Sequence, residues 1–343
     1  ILDDITPLRQ LATDTAQRPM VLFAPQVATR VRWDMNPDTP LPPDTPAGQN
    51  PPDGAVINYW LSTDASGPVT IEIADMSGAL VRRYSSADPV PGPDPRLAIP
   101  QYWVRPPQRV GTRAGMHRFL WDLRWTPMPD VRPNYPIAAV PANTAPAPSS
   151  PWVLPGRYKV TLTANGQTTT QTLEVRMDPR VKTTPADWQA QAILSKKLYE
   201  QGLAASNAMQ QLQSVRSQLN RMQQGGNPPP VVADTLQKVT ALVGQEQGFG
   251  GGGGGRGGAA RPDTVTSIRG SLLALLNSVQ QADAAPTSQE IEAAGEVLKQ
   301  FEAMTPKLNE FKQSLPAVNA QLKQAGLPEL SLTAAPAPTE ENP

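Results

Sequence analysis

The stretch RYKVTLTANGQTTTQTLEVR, residues 157–176, decides the fold of the first half of the chain. Two runs rich in Thr, Val and Leu, at 157–164 and 167–176, flank the dipeptide Asn165-Gly166. Both central positions of a type I′ turn need positive φ, which Asn and Gly tolerate best. The stretch therefore predicts a tight antiparallel hairpin.

The same pattern recurs upstream. The Asp53-Gly54 turn precedes an apolar run at 55–61. Residues 69–74 alternate, with Val69, Ile71 and Ile73 on one face and Thr70 and Glu72 on the other. Asp75-Met76-Ser77-Gly78 supplies turn residues before a returning strand at 80–85. Residues 116–125 alternate again, with Phe119, Trp121 and Leu123 sharing a face. Six strands predict an antiparallel β-sandwich of the immunoglobulin or fibronectin III type over 50–178, interrupted by proline-rich loops near 86–113 and 126–154. Residues 1–49 hold short β-like runs at 20–24 and 28–33, then a proline-rich stretch from Pro37 to Pro52. Such a stretch cannot pair as a central strand, so 1–49 is expected to be an extended connector.

The aromatic residues mark a boundary near residue 180. Six of the seven tryptophans lie between Trp33 and Trp152, and the second half is rich instead in Leu, Val, Ala and Gln. Over 184–325 the pattern predicts four helices packed as an antiparallel up-down bundle. Thr184-Pro185 opens the first, whose apolar or small residues recur at 194, 198, 205, 208, 212, 215, 219 and 222. Val232, Leu236, Val239 and Val243 mark the second; Val265, Ile268, Leu272, Leu275 and Val279 mark the third. Thr287 and Glu290 form a capping box for the fourth, with a stripe of Ile291, Ala294, Leu298, Phe301, Leu308, Phe311, Leu315, Val318 and Leu322. Pro306 and Pro316 are expected to bend or divide it. Gly248 to Gly258 predicts a flexible loop, and 326–343 a disordered tail.

Composition excludes several functions. Thirty basic and 30 acidic residues balance, so no net field draws nucleic acid or an anionic membrane. The apolar runs fall far short of the roughly 20 residues that span a bilayer. With no cysteine there is no disulfide, thiolate catalysis or cysteine-ligated metal, and the one histidine, His117, cannot assemble a common structural zinc site alone. His117 reads as a structural strand residue. The glycine tract lacks the Gly-Lys-Ser/Thr ending of a phosphate loop, and its one arginine, Arg256, is too little charge for RNA. Asp3, Asp4, Asp34, Asp38 and Asp44 in the first connector, and Asp122 and Asp130 around Trp125, stand in no catalytic pattern for paired carboxylates. No catalytic residue and no cofactor are expected. The residues singled out for contact are the loop aromatics Tyr102, Trp103, Trp125, Tyr135 and Trp152, which suit a neighbouring domain, a sugar face, or packing over the sandwich edges.

Several segments carry a family resemblance. ILDDITPLRQ at 1–10, NPPDGA at 50–55, IADMSG at 73–78, GMHRFLWDLR at 115–124, PGRY at 155–158 and RMDPR at 176–180 occur in order over most of 1–180. They resemble the region following the β-propeller in bacterial sortilin-like, Asp-box (BNR) repeat proteins, often labelled glycosyl hydrolases. The sandwich also resembles the immunoglobulin-like domain of flagellar hook-capping proteins. The resemblance implies a secreted or periplasmic protein whose partner is an upstream propeller. Any sialidase-like site would belong to that propeller. With Ile1 in place of Met, the chain is read as a processed or truncated piece, its true N-terminus upstream. The expected role is that of a non-catalytic accessory region making interdomain or protein–protein contacts; the alternative is a carbohydrate-binding module of a glycoside hydrolase.

Overall fold

The computed structural model describes residues 4–32, 44, 46, 52–90, 92, 97–129, 131–136, 142–226, 228–244 and 263–333. The glycine tract 248–258, most of the proline-rich stretch 37–52, Asp3, Asp34, Asp38 and Asp130 lie outside the described residues. Strands occupy the first half and long helices the second. The chain divides into two compact units, Ile1–Pro127 with Val131–Ala192, and Met128–Asp130 with Ile193–Pro343.

Among the described residues, the first unit holds the short helix α1 (Thr6–Arg9) and eight strands: β1 (Met20–Leu22), β2 (Ala28–Arg30), β3 (Ala55–Leu61), β4 (Thr70–Asp75), β5 (Leu80–Ser85), β6 (Gly115–Trp121), β7 (Gly156–Ala164) and β8 (Gln167–Met177). They form two sheets, ordered β1-β3-β6 and β2-β8-β7-β4-β5. The hairpin of β7 and β8 forms as its turn chemistry dictates. Ala164 pairs with Gln167, and Asn165 and Gly166 take φ of 49° and 73°. Across its exposed face Thr161 meets Thr170 and Thr163 meets Thr168 through their hydroxyls, at 3.3 and 3.1 Å.

Period-2 alternation sends one face of each sheet into a shared core. Ile57, Tyr59 and Leu61 from β3, Ile71 and Ile73 from β4, Val160 and Leu162 from β7 and Leu173 from β8 are fully buried there. Each such side chain contributes about 1.5–3 kcal/mol by leaving water. Trp121 sits among them, edge-on to Tyr158 at 5.5 Å, with its indole N–H donating to the Arg124 carbonyl at 3.0 Å.

Three expectations need correction. The sheets are not purely antiparallel, because β2 runs parallel to β8, with Ala28 opposite Val175. Residues 1–49 are more than a connector: β1 pairs with β3, and Leu22 and Ala28 are core residues. A three-residue strand is too short for alternation to register, yet it can still bury a side chain at a sheet edge. Finally, the strand expected over 116–125 ends at Trp121, since Leu123 takes a φ of 57°. That left-handed turn costs about 1–2 kcal/mol for a residue with a Cβ. It is held by burial of Leu123 and by the Val153 N–H donating to its carbonyl at 2.9 Å.

The helices are α2 (Pro185–Gln224), α3 (Pro230–Val243), α4 (Val265–Val279) and α5 (Ser288–Gln324). In α2, residues 198, 205, 208, 212, 215 and 219 of the apolar stripe are buried, and Leu194 and Met222 are half-buried. Leu276 rather than Leu275 enters the core from α4, Thr235 rather than Leu236 from α3, and Ile291 of α5 is exposed. The prolines do not divide α5, which is continuous through both. Pro306 and Pro316 are exposed, and the residues four before them, Glu302 and Lys312, are exposed too. A carbonyl left without a helical N–H partner costs little on a solvent-exposed face, where water can bond it.

The capping box of α5 is complete: the Glu290 N–H donates to Thr287 Oγ1 at 3.2 Å, and the Thr287 N–H donates to Glu290 Oε2 at 2.9 Å. The Thr287→Ala chain is expected to lose about 1 kcal/mol of stability, read from its denaturant midpoint at unchanged m-value. A neutral result would mean that this cap adds nothing to α5. The segment after α5 also departs from expectation. Residues 327–333 are not a disordered tail; Leu330 is buried and its backbone is hydrogen-bonded to Asn319. Residues 334–343 lie outside the described residues.

Candidate functional site

The five aromatic residues singled out above fall into two pairs and a single residue. Tyr102 and Trp103 lie on a 3₁₀ turn, Gln101–Trp103, with their rings edge-to-face at 6.1 Å and 80°. The turn is fastened to residues 142–144. The Ala142 N–H donates to the Tyr102 carbonyl at 2.8 Å, and the Thr144 N–H to the Trp103 carbonyl at 2.9 Å. The Arg105 N–H returns a bond to the Thr144 carbonyl at 2.9 Å. The Arg105 guanidinium donates to Asn143 Oδ1 at 2.9 Å and to Asp53 Oδ2 at 3.2 Å, tying the loop to the turn that opens β3. On this fixed support Tyr102 is 68% exposed, the most exposed large apolar side chain among the described residues.

Trp125 and Trp152 behave differently. Both are half-buried against the core. Arg124 and Trp152 form an antiparallel bridge, and the Trp125 N–H donates to the Pro151 carbonyl at 3.1 Å. The Trp152 ring is enclosed by guanidinium groups, with Arg124 at 4.0 Å from its centroid, Arg30 at 5.7 Å and Arg32 at 6.0 Å. Arg30 is buried and donates to the Val153 carbonyl at 2.9 Å, and Arg124 donates to the Ser150 carbonyl at 2.8 Å. Cation–π contact with Arg124 thus competes for ring surface that a sugar would need. Trp125 and Trp152 close the end of the core. Tyr135 is half-buried in the loop 131–136.

Sequence reasoning missed these arginines, although the signal was there. Arg30 and Arg32 are two apart in the β-like run 28–33, and extended backbone over that run would direct both to one face.

The candidate carboxylates are spent on local structure. Asp4 accepts from the Thr6 N–H and from Asn58 Nδ2, at 2.9 and 3.1 Å. Asp44 is exposed. Asp122 accepts from the Arg124 N–H at 3.2 Å. One side of Asp122 is open to solvent, yet the protein packed around its carboxyl holds it above the usual carboxylate range, offset in part by Arg82 and Arg124. Asp75 accepts from the Ser77 and Ala79 N–H groups, both at 2.9 Å, and so builds the turn between β4 and β5.

His117 does share a strand face with Phe119 and Trp121. Its ring stacks on Tyr59 at 4.8 Å, and Nε2 donates to the Arg113 carbonyl at 2.6 Å. Tyr59 donates to the Gly111 carbonyl at 2.8 Å; burial outweighs that bond and pushes its phenol up to about 12. These contacts pin the loop before β6 to the sheet. Among the described residues, no three of His, Cys, Asp and Glu gather to hold a metal ion. No helix among them is long and apolar enough to cross a membrane.

Comparison with protein-family models, with curated proteins and with solved structures returns no match. Of the aromatic pair, Tyr102 is exposed and Trp103 is half-buried beside it.

Proposed function

We propose that the chain is a non-catalytic accessory region that binds a neighbouring protein domain through the Tyr102–Trp103 pair. The observation that carries this reading is the 68% exposure of Tyr102 on a turn whose backbone is hydrogen-bonded to residues 142–144. A rigid aromatic ring with a polar tip gives large contact area for little lost conformational entropy, which is why Tyr and Trp anchor interfaces. Occupation of Trp152 by arginines removes one ring of an alternative sugar platform and favours the protein partner.

The first unit is read as an immunoglobulin-like sandwich. Taken in chain order, β1, β3 and β6 correspond to strands A, B and E of that fold, and β4, β5, β7 and β8 to C, C′, F and G. Strand β2 is then the second half of strand A, crossing to the other sheet. Tyr158, two residues into β7, donates its hydroxyl to the Leu154 carbonyl at 2.7 Å, as a tyrosine corner does at the start of strand F. The helices of the second unit are read as an antiparallel up-down bundle, on the strength of their continuous buried stripes.

The segments resembling Asp-box repeat proteins support a β-propeller as the partner and a secreted or periplasmic compartment. The test is calorimetric titration of the chain with an Asp-box β-propeller polypeptide, alongside a glycan array. Saturable binding to that polypeptide with no glycan retained is the expected result. Retention of a glycan through Tyr102, without affinity for the polypeptide, would overturn the reading in favour of a carbohydrate-binding module.

A further inference from the structure

The segment after α5 is fastened in an unusual way. Helix α5 ends in a Schellman turn: Gly326 at φ 73° sends its N–H to the Lys323 carbonyl at 3.1 Å, and the Leu327 N–H reaches the Leu322 carbonyl at 2.9 Å. The chain then continues as an irregular strap over 327–333. Two side-chain amides, one from each of two helices, grip its backbone. Asn319 of α5 donates to the Leu330 carbonyl at 3.1 Å and accepts from the Leu330 N–H at 2.8 Å. Gln218 of α2 donates to the Ser331 carbonyl at 2.7 Å and accepts from the Ser331 N–H at 3.0 Å. Ser214 adds a bond to the Thr333 carbonyl at 3.1 Å.

A primary amide that bonds both the N–H and the C=O of one residue imitates a paired β-strand, and it reads backbone rather than sequence. Leu330 alone is buried, while Pro328, Glu329, Ser331 and Thr333 are exposed. Open depressions of about 560 and 910 Å³ flank the strap, so it does not fill the groove it lies in. Arg221 lines one depression and Lys312 and Lys323 the other, and Glu329 borders both. The strap is held by one apolar anchor and five hydrogen bonds, several of them at exposed positions. Such a segment belongs to the part of a structure that opens locally without global unfolding.

We propose that the groove between α2 and α5 is a peptide-binding site, and that residues 327–333 occupy it as an intramolecular stand-in. The fitting partner is an irregular or extended peptide with an acidic residue, a leucine and a small hydroxyl residue in succession, matching Glu329-Leu330-Ser331. Asn319 and Gln218 supply the backbone recognition, the Leu330 pocket supplies the anchor, and the basic rim selects the acidic neighbour. The site is independent of the aromatic pair on the first unit.

The test uses the full chain and a fluorescein-labelled peptide with the sequence of residues 327–333. Leu330→Asp expels the strap's anchor and leaves the groove intact. By fluorescence anisotropy this variant is expected to bind the peptide at least about tenfold more tightly than the unaltered chain. Adding Asn319→Leu should remove that gain, as should replacing the peptide's own leucine at the 330 position by Asp. A second measurement needs no variant: excess unlabelled peptide, titrated into the unaltered chain, should strip hydrogen-exchange protection from the Leu330 and Ser331 amides. Unchanged protection together with no uptake by the Leu330→Asp chain would overturn the proposal. Uptake seen only as conversion to a dimer would assign the groove to self-association and overturn it equally.

Discussion

Trp121→Ala is expected to lower the unfolding free energy of the two-sheet unit by about 3–5 kcal/mol. The indole is fully buried and touches both sheets' residues in one core, so its loss removes transfer energy and leaves a cavity that the surrounding strands cannot close. It also removes the edge-to-face contact with Tyr158, worth about 0.5–1.5 kcal/mol beyond area burial, and the bond from the indole to the Arg124 carbonyl. That bond stabilises the turn in which Leu123 is strained, so its loss should loosen the bridge between Arg124 and Trp152 as well. The readout is the denaturant midpoint followed by far-UV dichroism of the β signal. A loss under 1 kcal/mol would show that Trp121 is not a keystone of this core.

Gly54→Val should cost about 4 kcal/mol, for two reasons that add. Gly54 has a φ of 105°, a conformation in which a β-branched residue is strained. A Cβ built there would also overlap the Trp121 carbonyl oxygen, which is main chain and cannot rotate aside. Strand β3 starts at the next residue and pairs Ala55 with Trp121, so any relief must come from shifting that register. The clash separates this site from Gly166, whose turn has open space where a Cβ would be built. Gly166→Ala should therefore cost only the strain of positive φ. If the two substitutions proved equally mild, close approach at Gly54 would not be what constrains it.

These two sites also show what was legible in the sequence. Turn dipeptides such as Asp53-Gly54 and Asn165-Gly166 act through local backbone chemistry, so the hairpin and the start of β3 could be read directly. The helix caps at Thr184, Thr264 and Thr287 act just as locally; the sequence pattern marks those at Thr184 and Thr287, while the box at Thr264 uses Ser267 in place of an acidic residue. Strands β1 and β2 were harder, because three residues carry no periodicity and their pairing is decided by partners dozens of residues away. The parallel pairing of β2 with β8 is a tertiary event of that kind. At the aromatic site, the sequence named the residues but could not sort them. Whether a tryptophan packs on arginines, like Trp152, or a tyrosine stands in solvent, like Tyr102, depends on loops whose course composition does not set. The strap over 327–333 was read as disordered for the same reason: its fastening by Gln218 and Asn319 joins residues about 113 and 11 positions apart, with no pattern between them.

If contact with a neighbouring domain runs through Tyr102 and Trp103, removing both rings must weaken it. The Tyr102→Ala/Trp103→Ala chain and the unaltered chain are each titrated calorimetrically with an Asp-box β-propeller polypeptide. Loss of two interface anchors is worth at least about 2 kcal/mol, so the dissociation constant should rise about 30-fold or more while the thermal midpoint stays within a few degrees. An unchanged dissociation constant in a folded double variant would contradict the claim and move the contact elsewhere on the chain.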